Sequence, residues 1–143
     1  MKHWMLISLC AAASSFTMVA KAGPTPAPEG VQLYIISPAN GASLASPVKV
    51  VFGLTGMGVA PAGVEKENTG HHHLLVDTPP PTGEALDEAI VKDAHHIHFG
   101  GGQTEAMVEL APGKHRLQLL LGDHNHIPHQ TPVLSKPITI TVN

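Results

Sequence analysis

EAMVELAPGKHRLQLLL, residues 105–121, holds two alternating apolar runs joined by a tight turn. Ala106, Val108 and Leu110 recur at every second position. His115, Leu117, Leu119 and Leu121 then do the same, with Arg116 and Gln118 pointing the other way. A period of two is the signature of strands that bury one face, and Pro112-Gly113 supplies the turn between them. The same grammar extends outward in both directions. Further strands are expected at Val31–Ser37, Val48–Leu54, His72–Asp77 and His95–Phe99, with the quoted runs forming strands at Thr104–Leu110 and Lys114–Leu121 and a last one at Ile138–Val142. Seven strands in about 110 residues suit an all-β, immunoglobulin-like Greek-key sandwich. Two connections are long. Residues 55–70 carry no periodicity, and residues 78–94 contain an expected helical turn at Glu84–Val91 with Leu86 and Ile90 on one side.

The N-terminal residues follow a different rule. Lys2 precedes a mainly apolar run, and Ala20-Lys21-Ala22 places small residues where a signal peptidase reads them. Residues 1–22 are therefore expected to be a cleaved signal peptide, residues 23–30 (GPTPAPEG) a proline-rich lead, and residues 31–143 the folded domain. The apolar run is short of the roughly 20 residues a spanning helix needs, so no membrane span is expected after cleavage and the mature chain is expected in the periplasm. Cleavage also removes Cys10, the only cysteine. Disulfides, thiolate metal sites and iron–sulfur clusters are thereby excluded from the mature chain. Loss of Lys2 and Lys21 lowers the basic count from 8 to 6 against 11 acids, moving the formal charge from −3 to −5. With no basic patch, nucleic acid is not an expected partner.

What remains reactive is histidine. All but His3 of the 11 histidines fall between positions 71 and 129, mostly in three clusters. These are His71-His72-His73, His95-His96-Ile97-His98, and the DHNHIPH stretch of residues 123–129. Imidazole is the commonest protein ligand for transition metals. In an immunoglobulin-like order, all three clusters map to one end of the domain, with the site bridging its two sheets at the mouth. Strand alternation puts His71 and His73 on one face and His72 on the other, and it likewise pairs His96 with His98. The expected metal ligands are His71, His73, His96, His98, His124, His126 and His129. Asp123 is expected to accept a hydrogen bond from a ligating ring, and Met57 is a candidate thioether ligand. His72 and His95 read as packed or hydrogen-bonded, and His115 as structural.

Without thiolate, such a site suits copper or zinc. The leading reading is thus a non-enzymatic, exported metal-binding module, with a transition-metal ion and an envelope protein as expected partners. Ligand deprotonation is expected to limit binding below about pH 6. Two other classes stay open. One is a metal-dependent enzyme using Glu105 or Asp123, although no His-Glu-x-x-His or Gly-x-Ser-x-Gly motif occurs. The other is an envelope-binding domain whose histidines form hydrogen-bond networks.

The stretches GHHHLLVD (70–77), HFGGGQTE (98–105), PGKH (112–115) and LLLGDHNHIPH (119–129) resemble an uncharacterised exported bacterial family. It is domain-of-unknown-function family 4399, some of whose members carry a rod-shape-determining label. The resemblance covers about residues 31–142. It implies an exported single domain and supplies no activity. The expected sandwich is also similar to periplasmic copper carriers of the CopC type and to copper–zinc superoxide dismutase. The N-terminal histidine ligand of the first and the cysteine pair of the second have no counterpart here.

Overall fold

The computed structural model describes residues 25–143, so the expected signal peptide lies outside the described residues. Nine strands and one 3-10 turn lie among the described residues. The strands are β1 (Gln32–Ser37), β2 (Ser43–Leu44), β3 (Val48–Thr55), β4 (Gly58–Val59), β5 (Thr69–Val76), β6 (His96–His98), β7 (Glu105–Val108), β8 (Gly113–Gly122) and β9 (Ile138–Val142). They form two mainly antiparallel sheets. The smaller has the order β1-β3-β7, and the larger runs β2-β9-β8-β5-β4 with β6 also paired to β5. All seven expected strands are present. The two additions, β2 beside β9 and β4 beside β5, are two-residue parallel pairings. Segments that short carry no alternation, and only their partners define them.

The sheets pack face to face. Leu33, Val48, Val50 and Phe52 of the smaller sheet meet Leu74, Val76, Leu117, Leu119, Leu121 and Ile140 of the larger in one apolar core. The alternation of β8 therefore has the expected inward face. Its other face is buried as well, because the chain after β8 folds back over it. Leu121 donates to Val133, and Ser135 donates to Leu119. The Ser135 hydroxyl in turn accepts from the Leu119 amide. Leu120, on this outer face, is fully buried in consequence.

Two expectations are corrected. The strand at His96–His98 does not join the opposite sheet. It pairs antiparallel with β5, placing His73 opposite His98 and Leu75 opposite His96. The expected helical turn at Glu84–Val91 is a 3-10 turn, Gly83–Asp87, with no side-chain cap and no buried residue. The Glu88 backbone is extended, and the Ile90 amide donates to the His126 carbonyl instead of to a helix. The proline-rich lead docks from Thr25 onward. The Thr25 carbonyl accepts from Gln130, and Ala27 packs on the core. Among the described residues, no helix is long and apolar enough to cross a membrane.

Leu119 is fully buried, whereas Met107 is 60% exposed. Leu119→Ala should cost about 2–5 kcal/mol in urea denaturation, and Met107→Ala no more than about 0.5 kcal/mol. Equal effects would show that the core is not where these contacts place it.

Candidate metal centre

The register of three strands builds the site. On β5, His71 and His73 project from the outer face of the larger sheet, while His72 turns inward. His72 packs against Phe52 with ring centroids 5.0 Å apart, and its Nδ1 lies 3.2 Å from the Gln103 carbonyl. On one side of β5, the His73–His98 pairing brings a third ring. On the other side, His71 lies opposite Gly122 of β8. A side chain at Gly122 would put its Cβ 2.8 Å from His73 Nε2, so only glycine leaves room for that ring. Gly100 serves His98 in the same way, since a Cβ there would collide with the imidazole.

The fourth ring comes from a turn. Asp123 Oδ1 accepts from the amides of Asn125 and Ile127, and the Asp123 carbonyl accepts from His126. This closed turn holds His126 at a left-handed φ of 67° and aims it back over the sheet. Two neighbouring segments secure it: Gly63 donates to the His124 carbonyl and Ile90 to the His126 carbonyl.

The result is a nest of four imidazoles. His71 and His73 approach to 3.0 Å between Nε2 atoms. Ring centroids lie 4.8 Å apart for His71–His73, 5.0 Å for His71–His98, 5.0 Å for His71–His126 and 4.7 Å for His98–His126. One nitrogen each of His71, His98 and His126 falls within 4.8 Å of the others. Ligands about 2.0–2.1 Å from a shared zinc ion would stand somewhat closer together, so small ring rotations suffice. His71 and His73 are 0% and 1% exposed, whereas His98 and His126 are half-buried.

Burial disfavours the charged form of His71, His73 and His98. It pushes His71 down to about 4, helped by the neighbouring His126 and His98 and opposed by the Asp123 carboxylate. Burial, with the His71, His98 and His126 rings, lowers His73 to about 2. Burial, then His126 and Lys92, lowers His98. Each neutral ring keeps a lone pair for a ligand. Buried nitrogens on His71, His73 and His98 have no hydrogen-bond partner, a condition that costs about 1–3 kcal/mol per group. At His71 and His73, protons would compete with a metal only below the usual histidine range.

The other expected ligands lie apart from this group. His96 shares the outer face, but its Nδ1 is 2.8 Å from Asp93 Oδ1. His124 is turned to Asn125, Nε2 to Nδ2 2.9 Å. His129 is buried with Nδ1 2.7 Å from Thr25 Oγ1. Met57 packs on the core, and Glu105 pairs with Lys49 at 3.0 Å in the other sheet. The site therefore sits on the outer face of one sheet and does not bridge the mouth of the sandwich. Asp123 makes no hydrogen bond to a ring: Oδ1 serves the turn, and Oδ2 is buried without a partner.

His95 Nδ1 lies 2.9 Å from the Val76 carbonyl. His115 sits between two acceptors, the Ala111 carbonyl and Asp77 Oδ2, both 2.7 Å away. Two acceptors favour two ring protons, so the bond to the Ala111 carbonyl and then the one to Asp77 raise His115 above its ordinary value. Asp77 also accepts from the Arg116 amide.

Unfolded histidine takes up a proton near pH 6.5. Folded His71 resists until about 4 and His73 until about 2. The unfolded chain thus binds more protons below pH 6.5, and stability from these rings falls as pH drops and is level above about 7. In chelator, each ring should remove about 1.4 kcal/mol per pH unit below 6.5, or roughly 4 kcal/mol for the pair at pH 5. Urea denaturation at pH 7 and pH 5 measures this. Equal stability at both would contradict buried neutral rings.

No curated protein and no solved structure matches the chain. One family does match, over residues 50–143, which include every ring of the nest but neither β1 nor β2. The chain accordingly belongs to the family described as Domain of unknown function (DUF4399).

Proposed function

We propose that this protein is an exported, periplasmic module that binds one copper or zinc ion through His71, His73, His98 and His126, without turnover. The observation that carries the reading is the convergence of rings from β5, β6 and the 123–127 turn, with the ligand atoms of three within 4.8 Å. Proteins seldom gather imidazoles in a buried nest without a partner, because each orphaned nitrogen weakens the fold. A transition metal supplies the missing partner for several at once. An all-imidazole set suits copper or zinc, and the absence of thiolate argues against a soft-metal sulfur site. Export is supported by the signal-like residues 1–22. It would place the module where it can receive or deliver metal to an envelope protein.

Titration of the protein with zinc and with copper against a chromophoric chelator should give one equivalent bound. His98 and His126 are the half-buried ligands, so their replacement disturbs the core least. His98→Ala and His126→Ala should each lower affinity by at least the 10- to 100-fold typical of losing an outer partner, and the double variant should abolish binding. His124→Ala should bind as the parent does. Retained affinity in the double variant would place the metal elsewhere or nowhere.

A further inference from the structure

Metal binding at this nest makes a demand that the four rings cannot meet alone. His71 and His73 face each other through Nε2, so a metal between them needs both Nε2 lone pairs free. Each ring must then carry its proton on Nδ1, and a buried Nδ1–H needs an acceptor. Both Nδ1 atoms are buried and without a partner. Among the described residues, the buried side-chain atoms lacking a partner are five imidazole nitrogens and a single oxygen, Asp123 Oδ2.

That oxygen is well placed. Asp123 follows Gly122, the residue directly across the strands from His71. Gly122 is also bridged to Pro128, the neighbour of His129. Asp123 and His129 are 1% and 2% exposed, so His71, Asp123 and His129 are three buried groups gathered about one glycine. Each has an orphaned polar atom: His71 Nδ1, Asp123 Oδ2 and His129 Nε2. The Asp123 charge acts on both rings, favouring their protonated forms against the burial that dominates each.

We propose that Asp123 is the positioning residue of the metal-loaded site: its Oδ2 accepts the Nδ1–H of His71, and His129 holds it there through Nε2–H. This rests on the metal-binding reading above. With the Thr25 hydroxyl, 2.7 Å from His129 Nδ1, acting as donor there, His129 keeps its Nε2–H for Asp123, and His71 gives its Nδ1–H to Asp123 and keeps its Nε2 lone pair for the ion. Asp123 also supplies the one negative charge that offsets a cation among otherwise neutral ligands, which lowers the cost of burying it.

Asp123→Asn tests this with little disturbance to the turn, since the amide oxygen still accepts from Asn125 and Ile127. Zinc affinity should fall about 10- to 100-fold, while urea stability in chelator stays close to that of the parent. His129→Gln, which leaves the turn untouched, should lower affinity in the same direction. Glu105→Gln, in the other sheet, should not. Long-range ¹⁵N–¹H spectra of the zinc-loaded parent should show the His71 proton on Nδ1. Parent-like zinc affinity in both Asp123→Asn and His129→Gln, or His71 protonated on Nε2, would overturn the inference and leave metal binding intact. A parent that binds neither zinc nor copper would overturn both.

Discussion

The antiparallel register of β5 between β6 and β8 is the constraint from which the candidate centre follows. One alignment sets His73 opposite His98 and His71 opposite Gly122. Because side chains alternate, a slip of one residue would turn His71 and His73 into the apolar core and bring Leu74 out. The core forbids that slip. Leu74 and Val76 are committed to the inner face with Leu117, Leu119 and Leu121. The hydrophobic packing that stabilises the sandwich thereby also positions three imidazoles on its far side.

Those imidazoles work against the fold that holds them. Three rings carry buried nitrogens with no partner, and two resist protonation well below the usual histidine range. The sandwich has room to absorb such a cost, since fully buried leucines line both faces of β8. Preorganisation is the compensation. Rings already desolvated, neutral and packed within about 5 Å lose little further freedom on gathering round an ion.

The fourth ring is held differently. His126 stands on a turn closed by the Asp123 carboxylate and tied down by amides from residues 63 and 90. The Ala62 amide likewise donates to the Gly100 carbonyl, beside His98. Two long connections thus act as straps across the half-buried side of the nest.

Much of this was legible beforehand. Alternation alone located seven strands, the inward face of β8, and the opposite orientations of His72 and its neighbours. Residue chemistry singled out histidine. Four of the seven expected ligands meet, and the reason the other three do not is local: His96, His124 and His129 each have a nearer polar partner in Asp93, Asn125 and Thr25. No periodicity encodes that competition. Nor does it encode which sheet a three-residue strand joins. β6 carries too few residues to specify its neighbour, and pairing with β5 rather than the smaller sheet moved the site from the mouth to an outer face. Short-range patterning determined which residues form strands and which way they point, because side-chain direction is a property of the backbone itself. Which strands lie side by side, and so which rings share a space, depended on hydrogen bonds between residues far apart in the chain, and only the packed structure settles those.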